Sequence, residues 1–228
     1  DKEFRFIKVN TAKAKRSNTT PDKMIGKTDF DFFPKDEAEK TIAYEKKVMV
    51  SGEPIINKQE KLTDINGIEH WISITKVPRF DKYGKIIGTI GISRDITELK
   101  NSEKKYKELF EKAIDPIMIL DKNGRFIDVN EKVTKLVGYN KNDFLGKKLD
   151  ETKIFTKESL DKNLDSFFKR MKGEEVPTYE TDIVTKKGEV IPAEINASVL
   201  YEEGEIVGEL VILRDLRESY RSKKIEKD

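Results

Sequence analysis

Strand-like runs of apolar and polar positions occur at about Ile55–Thr63, Glu69–Val77 and Lys85–Ser93, and again at Thr178–Thr185, Glu189–Leu200 and Glu205–Leu213. Glycine-bearing turns separate them (Asn66-Gly67, Tyr83-Gly84, Lys187-Gly188, Glu203-Gly204), which are hairpin signals. Ahead of each trio lies a helical stretch, about Lys35–Ser51 and Lys157–Lys172, closed by Gly52 or Gly173 in C-cap position. Earlier still, a short strand (Arg5–Val9, Arg125–Val129) runs into Asn10 or Asn130, a residue suited to N-cap the next helix. The pattern predicts an α+β architecture, an antiparallel sheet with short helices on one face.

The order is written twice. At an offset of 120, Asp1–Asn10 matches Asp121–Asn130 at Asp, Lys, Arg, Phe, Ile, Val and Asn, and Gly88–Glu98 matches Gly208–Glu218. A single indel near Gly67 and Gly188 moves the offset to 121. One stretch has no counterpart: Pro116–Asp121 reads as an opening strand, and nothing equivalent precedes Asp1. The first copy therefore reads as N-terminally truncated, and the chain as a fragment. The expected division is a first domain over 1–98, a linker helix over 99–114, a second domain over 115–216 and an exit helix over 217–228.

Composition narrows the chemistry. Charged residues make up 39% of the chain and apolar ones 36%, which suits small domains with much surface and solvated helices between them. Lys+Arg 45 against Asp+Glu 43 gives no electrostatic case for nucleic acid or a lipid surface as partner. With no Cys there is no disulfide, thiol nucleophile or cysteinyl-flavin adduct. With His70 as the single histidine, a multi-histidine metal site is excluded. No apolar run could span a bilayer, and the expected location is the cytoplasm.

Two motifs close the copies. Asp95-Ile-Thr97-Glu98 and Asp215-Leu-Arg-Glu218 have the D-x-x-E form of a capping box, where the last strand turns into a departing helix. Downstream of the first, Ile96, Leu99, Glu103, Tyr106, Phe110 and Ala113 follow a 3-4 spacing, one apolar stripe broken by Glu103. Gly26-Lys27-Thr28 lacks the strand and first glycine of a phosphate-binding loop and reads as a turn.

Strand, Asp-x-x-Gly-Arg-Phe-Ile-x-Val-Asn, Leu-Gly-Lys, a long helix, three strands and Arg-Asp-(Ile/Leu)-(Thr/Arg)-Glu together resemble tandem PAS (Per-Arnt-Sim) domains, GTIGISRDITE at Gly88–Glu98 most specifically. The resemblance implies a five-stranded antiparallel sheet around a small cavity, the first copy lacking its opening strand. It implies a sensory, non-enzymatic module of a two-component type, feeding an output domain such as a histidine kinase. Asp95, Thr97, Glu98, Asp215 and Glu218 become the signal junction, and the stripe becomes a homodimer helix. By the same resemblance, the first cavity is lined by Ile42, Leu62, Ile72, Ile74 and Ser93, with Ser93 as the one polar handle for a small ligand. The matching Ile183, Ala193, Ile195 and Leu213 are all apolar, so a side-chain-filled core is expected in the second copy. The long helices carry no His, against a histidine-ligated haem; His70 reads as a surface strand residue. The competing reading is a ligand-free scaffold for dimerisation or docking.

Overall fold

The computed structural model describes residues 1–64 and 66–225. The last residues of the exit segment, 226–228, lie outside that range. The chain forms two compact units, Asp1–Lys104 and Lys105–Asp228.

In the first unit, helices α1 (Thr11–Arg16), α2 (Pro21–Met24) and α3 (Lys35–Ser51) precede strands β1 (Ile55–Thr63), β2 (Glu69–Phe80) and β3 (Ile86–Asp95), which form a three-stranded sheet in the order β1-β2-β3. Helix α3 ends where Gly52 adopts φ 71°, a left-handed C-cap that costs glycine nothing. Leu62, Ile72 and Ile74 meet Ala14, Met24, Phe32 and Phe33 in the core.

Helix α4 (Thr97–Lys112) leads into the second unit, with β4 (Ile117–Asp121), β5 (Phe126–Val129), α5 (Glu131–Val137), α6 (Lys157–Met171), β6 (Tyr179–Val184), β7 (Val190–Glu202), β8 (Glu205–Asp215) and α7 (Arg217–Ile225). Its five strands run β5-β4-β8-β7-β6, all neighbours antiparallel. Met118, Leu120, Phe126, Phe144, Phe167, Ile183 and Leu213 are buried in its core.

The first copy departs from expectation at Arg5–Val9, which forms no strand. Phe6 still donates to the Lys27 carbonyl at 2.8 Å and accepts from Gly26 N–H at 2.9 Å, as Phe126 does with Lys147 and Gly146 at 3.0 and 2.9 Å. The local fold is conserved between the copies; the ladder is missing. Strand β5 is paired along its length by β4 alone, with Met118 opposite Val129 and Ile119 opposite Asp128. Without a β4 there is no row of donors and acceptors to turn an extended segment into a strand. The first sheet therefore has three strands, one fewer than a copy lacking only its opening strand.

Strand β8 shows what β4 requires. A side chain at Gly208 would collide with the Leu120 carbonyl oxygen of β4. At the matching place in the first unit, a Cβ on Gly88 would stand 3.1 Å from the Asp1 Cα. Asp1 thus lies beside Gly88 as Asp121 lies beside Gly208 in the second unit. The edge of β3 beside it leaves Ile90 and Ile92 exposed.

Candidate functional site

The residues that the sequence singles out, or that it hides, lie at the two strand-to-helix junctions, in the interiors of the two units and along α4.

At the first junction the backbone itself is tied down. Ile96 N–H donates to the Trp71 carbonyl at 2.8 Å, and Trp71 N–H donates to the Thr97 hydroxyl oxygen at 2.9 Å. The Asp95 carboxylate accepts from Thr97 N–H at 2.9 Å, so the first free amide of α4 is capped. Among the described residues Glu98 makes no return bond, and only half of the expected box forms. Partial burial pushes the Asp95 carboxyl up, but the Thr97 bonds and His70 together hold it below the ordinary carboxylate range.

His70 is a partly exposed strand residue at the start of β2, and it also reaches the junction. Its Nδ1 lies 3.1 Å from Asp95 Oδ2 and its Nε2 lies 3.6 Å from Asp64 Oδ2, with the side chain 25% exposed. The register brings them together: Ile72 pairs with Asp95, the last residue of β3, and His70, two positions earlier on the same face, lies diagonal to that carboxylate. Lys100, one turn into α4, lies over the Trp71 ring at 5.9 Å.

The second junction repeats the backbone tie, Leu216 N–H to the Pro192 carbonyl at 2.9 Å, and the cap, Arg217 N–H to Asp215 at 2.9 Å. The side chains differ for a visible reason. Pro192 stands where Trp71 stands, and proline has no N–H to offer a hydroxyl at position 217. Arg217 instead grips Asp215 at 2.6 Å and Glu189 at 2.8 Å. Burial raises the Asp215 carboxyl, and the Arg217 bonds outweigh it, leaving it lowered. Glu218, like Glu98, returns no bond among the described residues.

The expected pocket residues of the first unit do not share one environment. Leu62, Ile72 and Ile74 are core residues, Ile42 is half-buried on α3, and Ser93 is exposed. Ser93 does face the same side as Ile74, its partner across the ladder, and accepts from Arg16 Nη2 at 2.8 Å. Its counterpart Leu213 is fully buried.

The second unit has the filled core expected from its four apolar positions, and adds polar groups that those positions do not show. Ile183, Ala193, Ile195 and Leu213 are buried as expected, yet charged and polar groups lie among them. Arg170 of α6 and Glu209 of β8, 5% and 2% exposed, form an ion pair at 2.6 Å. Burial raises the Glu209 carboxyl, partly offset by Arg170; burial opposes the Arg170 charge too, but Glu209 prevails and its pKa rises. Asn163, 3% exposed, donates to the Thr181 hydroxyl at 3.3 Å. Asn163, Arg170, Tyr179 and Glu209 line a cavity of about 20 Å³ whose other walls include Met118 and Val211. The resemblance carried over four strand positions only; these polar groups come from α6, from the start of β6 and from a different position on β8. One signal was present in the sequence: Glu209 sits in step with the inward-facing Val211 and Leu213.

At the other end of α4, Phe110 is buried and its carbonyl accepts from Asn130 Nδ2 at 3.0 Å. The same Asn130 amide donates to the Asp115 carbonyl at 3.0 Å, and its oxygen accepts from Ile117 and Val133 N–H at 3.0 and 3.3 Å. Glu111 accepts from Glu131 N–H at 2.8 Å, at the start of α5. The apolar stripe therefore divides: Ile96 and Phe110 are buried, whereas Leu99, Tyr106 and the neighbouring Leu109 are exposed. Among the described residues no helix is long and apolar enough to cross a membrane.

Comparison with known proteins agrees with this architecture. The family described as PAS fold matches residues 1–101, and the family described as PAS domain matches residues 114–218. A diguanylate cyclase of Vibrio cholerae is 27% identical over 95 residues, 41% of this chain and 30% of that protein. The methyl sulfide methyltransferase-associated sensor of Methanosarcina acetivorans is 31% identical over 106 residues, 45% of this chain and 10% of that protein. The chain thus spans less than a third of either curated relative. Among solved structures, a PAS domain from Colwellia psychrerythraea is 23% identical with a TM-score of 0.46, covering 51% of this chain and 98% of that one. A domain of a sensory box sensor histidine kinase/response regulator from Geobacter sulfurreducens is 28% identical with a TM-score of 0.42, covering 53% and 99%. Two family matches that together cover nearly the whole length, one on each unit, establish that the chain belongs to the PAS family as a tandem pair of PAS domains.

Proposed function

We propose that this tandem PAS module senses a small molecule or a conformational input and relays it through α4 and α7 to an output domain beyond this chain, a histidine kinase. The observation that carries the reading is the repeated staple at both sheet exits. A backbone bond and an aspartate cap join the sheet to the first turn of the departing helix. A strain in the sheet therefore has a short covalent and hydrogen-bonded route into the helix, and two arrangements of that route supply a population shift. The module itself does no chemistry on this reading and is cytoplasmic.

The exposed Leu99, Tyr106 and Leu109 on α4 support pairing with a second copy of the helix, the homodimer through which paired outputs are switched. The cyclase relative makes a diguanylate cyclase the competing output. One experiment separates them: purified parent protein is assayed for autophosphorylation and for cyclic dinucleotide synthesis, wild type beside Asp95→Ala. Expected are phosphorylation and a shifted basal level in the variant. Cyclase activity alone removes the kinase output, and identical levels in wild type and variant remove the relay.

A further inference from the structure

The imidazole of His70 is flanked by two carboxylates, each of which has another task. Asp95 caps α4 with Oδ1, which accepts from Thr97 N–H at 2.9 Å, and turns Oδ2 to His70 Nδ1 at 3.1 Å. Asp64 shapes the turn between β1 and β2 with Oδ1, which accepts from Asn66 and Ile68 N–H at 2.8 Å each. Its Oδ2 faces His70 Nε2 at 3.6 Å, within reach of an ion pair. Each acid therefore uses one oxygen on its own local structure and offers the other to the ring. The Ile68 N–H bond, opposed by burial and supported by Asn66 and His70, holds the Asp64 carboxyl below its ordinary range. The two acids stand at opposite nitrogens of the ring, so they do not converge as ligands of one metal ion would.

An ionised carboxylate only accepts hydrogen bonds, so the proton count of the ring decides what this bridge can be. A neutral imidazole has one N–H. With that proton on Nδ1, at the shorter contact, the Nε2 lone pair faces an Asp64 oxygen and is repelled. The imidazolium donates from both nitrogens and joins the two acids. Histidine ordinarily exchanges this proton between about pH 5 and 8. The surrounding charges leave the place to it. Glu69, next on β2, is paired with Lys61 of β1 at 2.7 Å, and Leu62, opposite His70 on the ladder, is apolar. Arg16 of α1 is bonded to Ser93, although its charge also acts on Asp95, and Lys100 of α4 lies over the Trp71 ring.

The second domain builds a similar tie without a titrating group. Thr185 stands for Asp64, its hydroxyl accepting from Glu189 N–H at 3.1 Å, and the buried Ile191 stands for His70. Arg217 there joins the junction acid Asp215, at 2.6 Å, to Glu189, immediately ahead of β7, at 2.8 Å. An arginine keeps its charge across the physiological range. One domain thus has a permanent cation between its junction and the preceding turn, and the other has a cation that comes and goes.

We propose that His70 is a pH-sensitive latch in the first PAS domain: with its second proton it ties the β1–β2 turn, through Asp64, to Asp95 at the start of α4, and without that proton the turn is released. As regulation of the output this rests on the relay described above. The latch closes as pH falls through the histidine range, and opens again where the acids themselves take protons, below about pH 4. The Asp95 Oδ1 cap on Thr97 persists whether the latch is open or closed at neutral pH.

The test is an NMR titration of the intact chain, whose single histidine makes the ring signals unambiguous. From about pH 5.5 to about pH 8.5, the Asn66 and Ile68 amide shifts should move with the midpoint of the His70 ring. Protection of the Ile68 amide, corrected for intrinsic exchange, should fall about threefold on the alkaline side, the size of one partly exposed ion pair. The Leu216 and Arg217 amides should stay still. His70→Gln should abolish the titration of the turn. His70→Arg, which copies the permanent charge of the second junction, should hold the turn in its acid form throughout. Turn amides that ignore the ring, or that titrate alike in both variants, would overturn the latch. Thr97 and Lys100 shifts that follow the ring support latch and relay together; a latch that opens with α4 unmoved upholds the latch and removes its role as input.

Discussion

Phe6 and Phe126 occupy equivalent places in the two PAS domains and make the same pair of backbone bonds, yet only Phe126 belongs to a strand. Asn10 and Asn130 repeat the lesson four residues later. Asn10 caps α1 by accepting from Lys13 N–H at 2.9 Å, whereas Asn130 caps α5 and also binds Phe110, Asp115 and Ile117. Similar residues at matched spacing acquire different structural weight according to what stands beside them. In the second domain β4 and the end of α4 are that neighbour. In the first, the described residues provide none, and the segment keeps its turns without its ladder.

The interiors differ in the same spirit. Each domain ties its long helix to its sheet by an ion pair of opposite polarity: Glu45 to Lys76, partly buried, at 2.5 Å in the first, and Arg170 to Glu209, fully buried, in the second. The largest effect should come from breaking the more enclosed of the two. Arg170→Met alone leaves Glu209 charged and unpaired, and should cost about 3–5 kcal/mol in chemical denaturation of the second domain. The double change Arg170→Met with Glu209→Leu should restore most of that loss; a double variant as unstable as the single would show that the pair is not the cause.

Next in size is the strand itself. Gly208→Ala drives a Cβ against the β4 backbone and should cost about 2–3 kcal/mol, exposing β4 and β5 amides to hydrogen exchange together. Gly88→Ala faces only Asp1 but stands at φ 152°, where a side chain strains the backbone, so its cost should stay local to β3 and leave β4 and β5 protected. Exposure of β4 and β5 in that variant too would erase the contrast on which the comparison stands.

The two asparagines sharpen it further. Asn10→Ala removes one cap, worth about 1 kcal/mol. Asn130→Ala leaves two carbonyls and two amides to find new partners, and thermal unfolding should register at least about twice that loss.

Acidification should have the smallest effect. Asp95 and Asp215 both lie below the ordinary carboxylate range, so their contribution is fully present above the unfolded value of about 3.9 and is lost as pH falls through the lower folded values. The first turns of α4 and α7 should hold from neutral pH to about pH 5 and loosen only below about pH 4, as amide exchange would report. Loosening near neutrality would assign the junctions to another group.

Much of this architecture is legible in the chain because its signals are local. Helix α3 begins and ends where its charge pattern and Gly52 place it, and each hairpin turn carries its glycine. The failures share a cause, dependence on a partner remote in sequence. Arg5–Val9 has strand composition but no strand beside it. His70 reaches Asp95 only through the β2–β3 register. Arg170 stands near the end of a helix, and only the fold brings Glu209, 39 residues on, within 2.6 Å of it. The copies differ at Thr97 and Arg217, and Trp71 and Pro192 explain the difference through one N–H.

The coupling of sheet to helix is the centre of this account, and hydrogen exchange at single-residue resolution across α4 tests it most directly. In Asp95→Ala, exchange at Thr97–Lys100 should accelerate about fivefold, the worth of one cap, while Ile72 and Ile74 keep their protection. Unchanged exchange at the start of α4, or an equal loss throughout β2 and β3, would contradict a junction that acts as a local and separable staple.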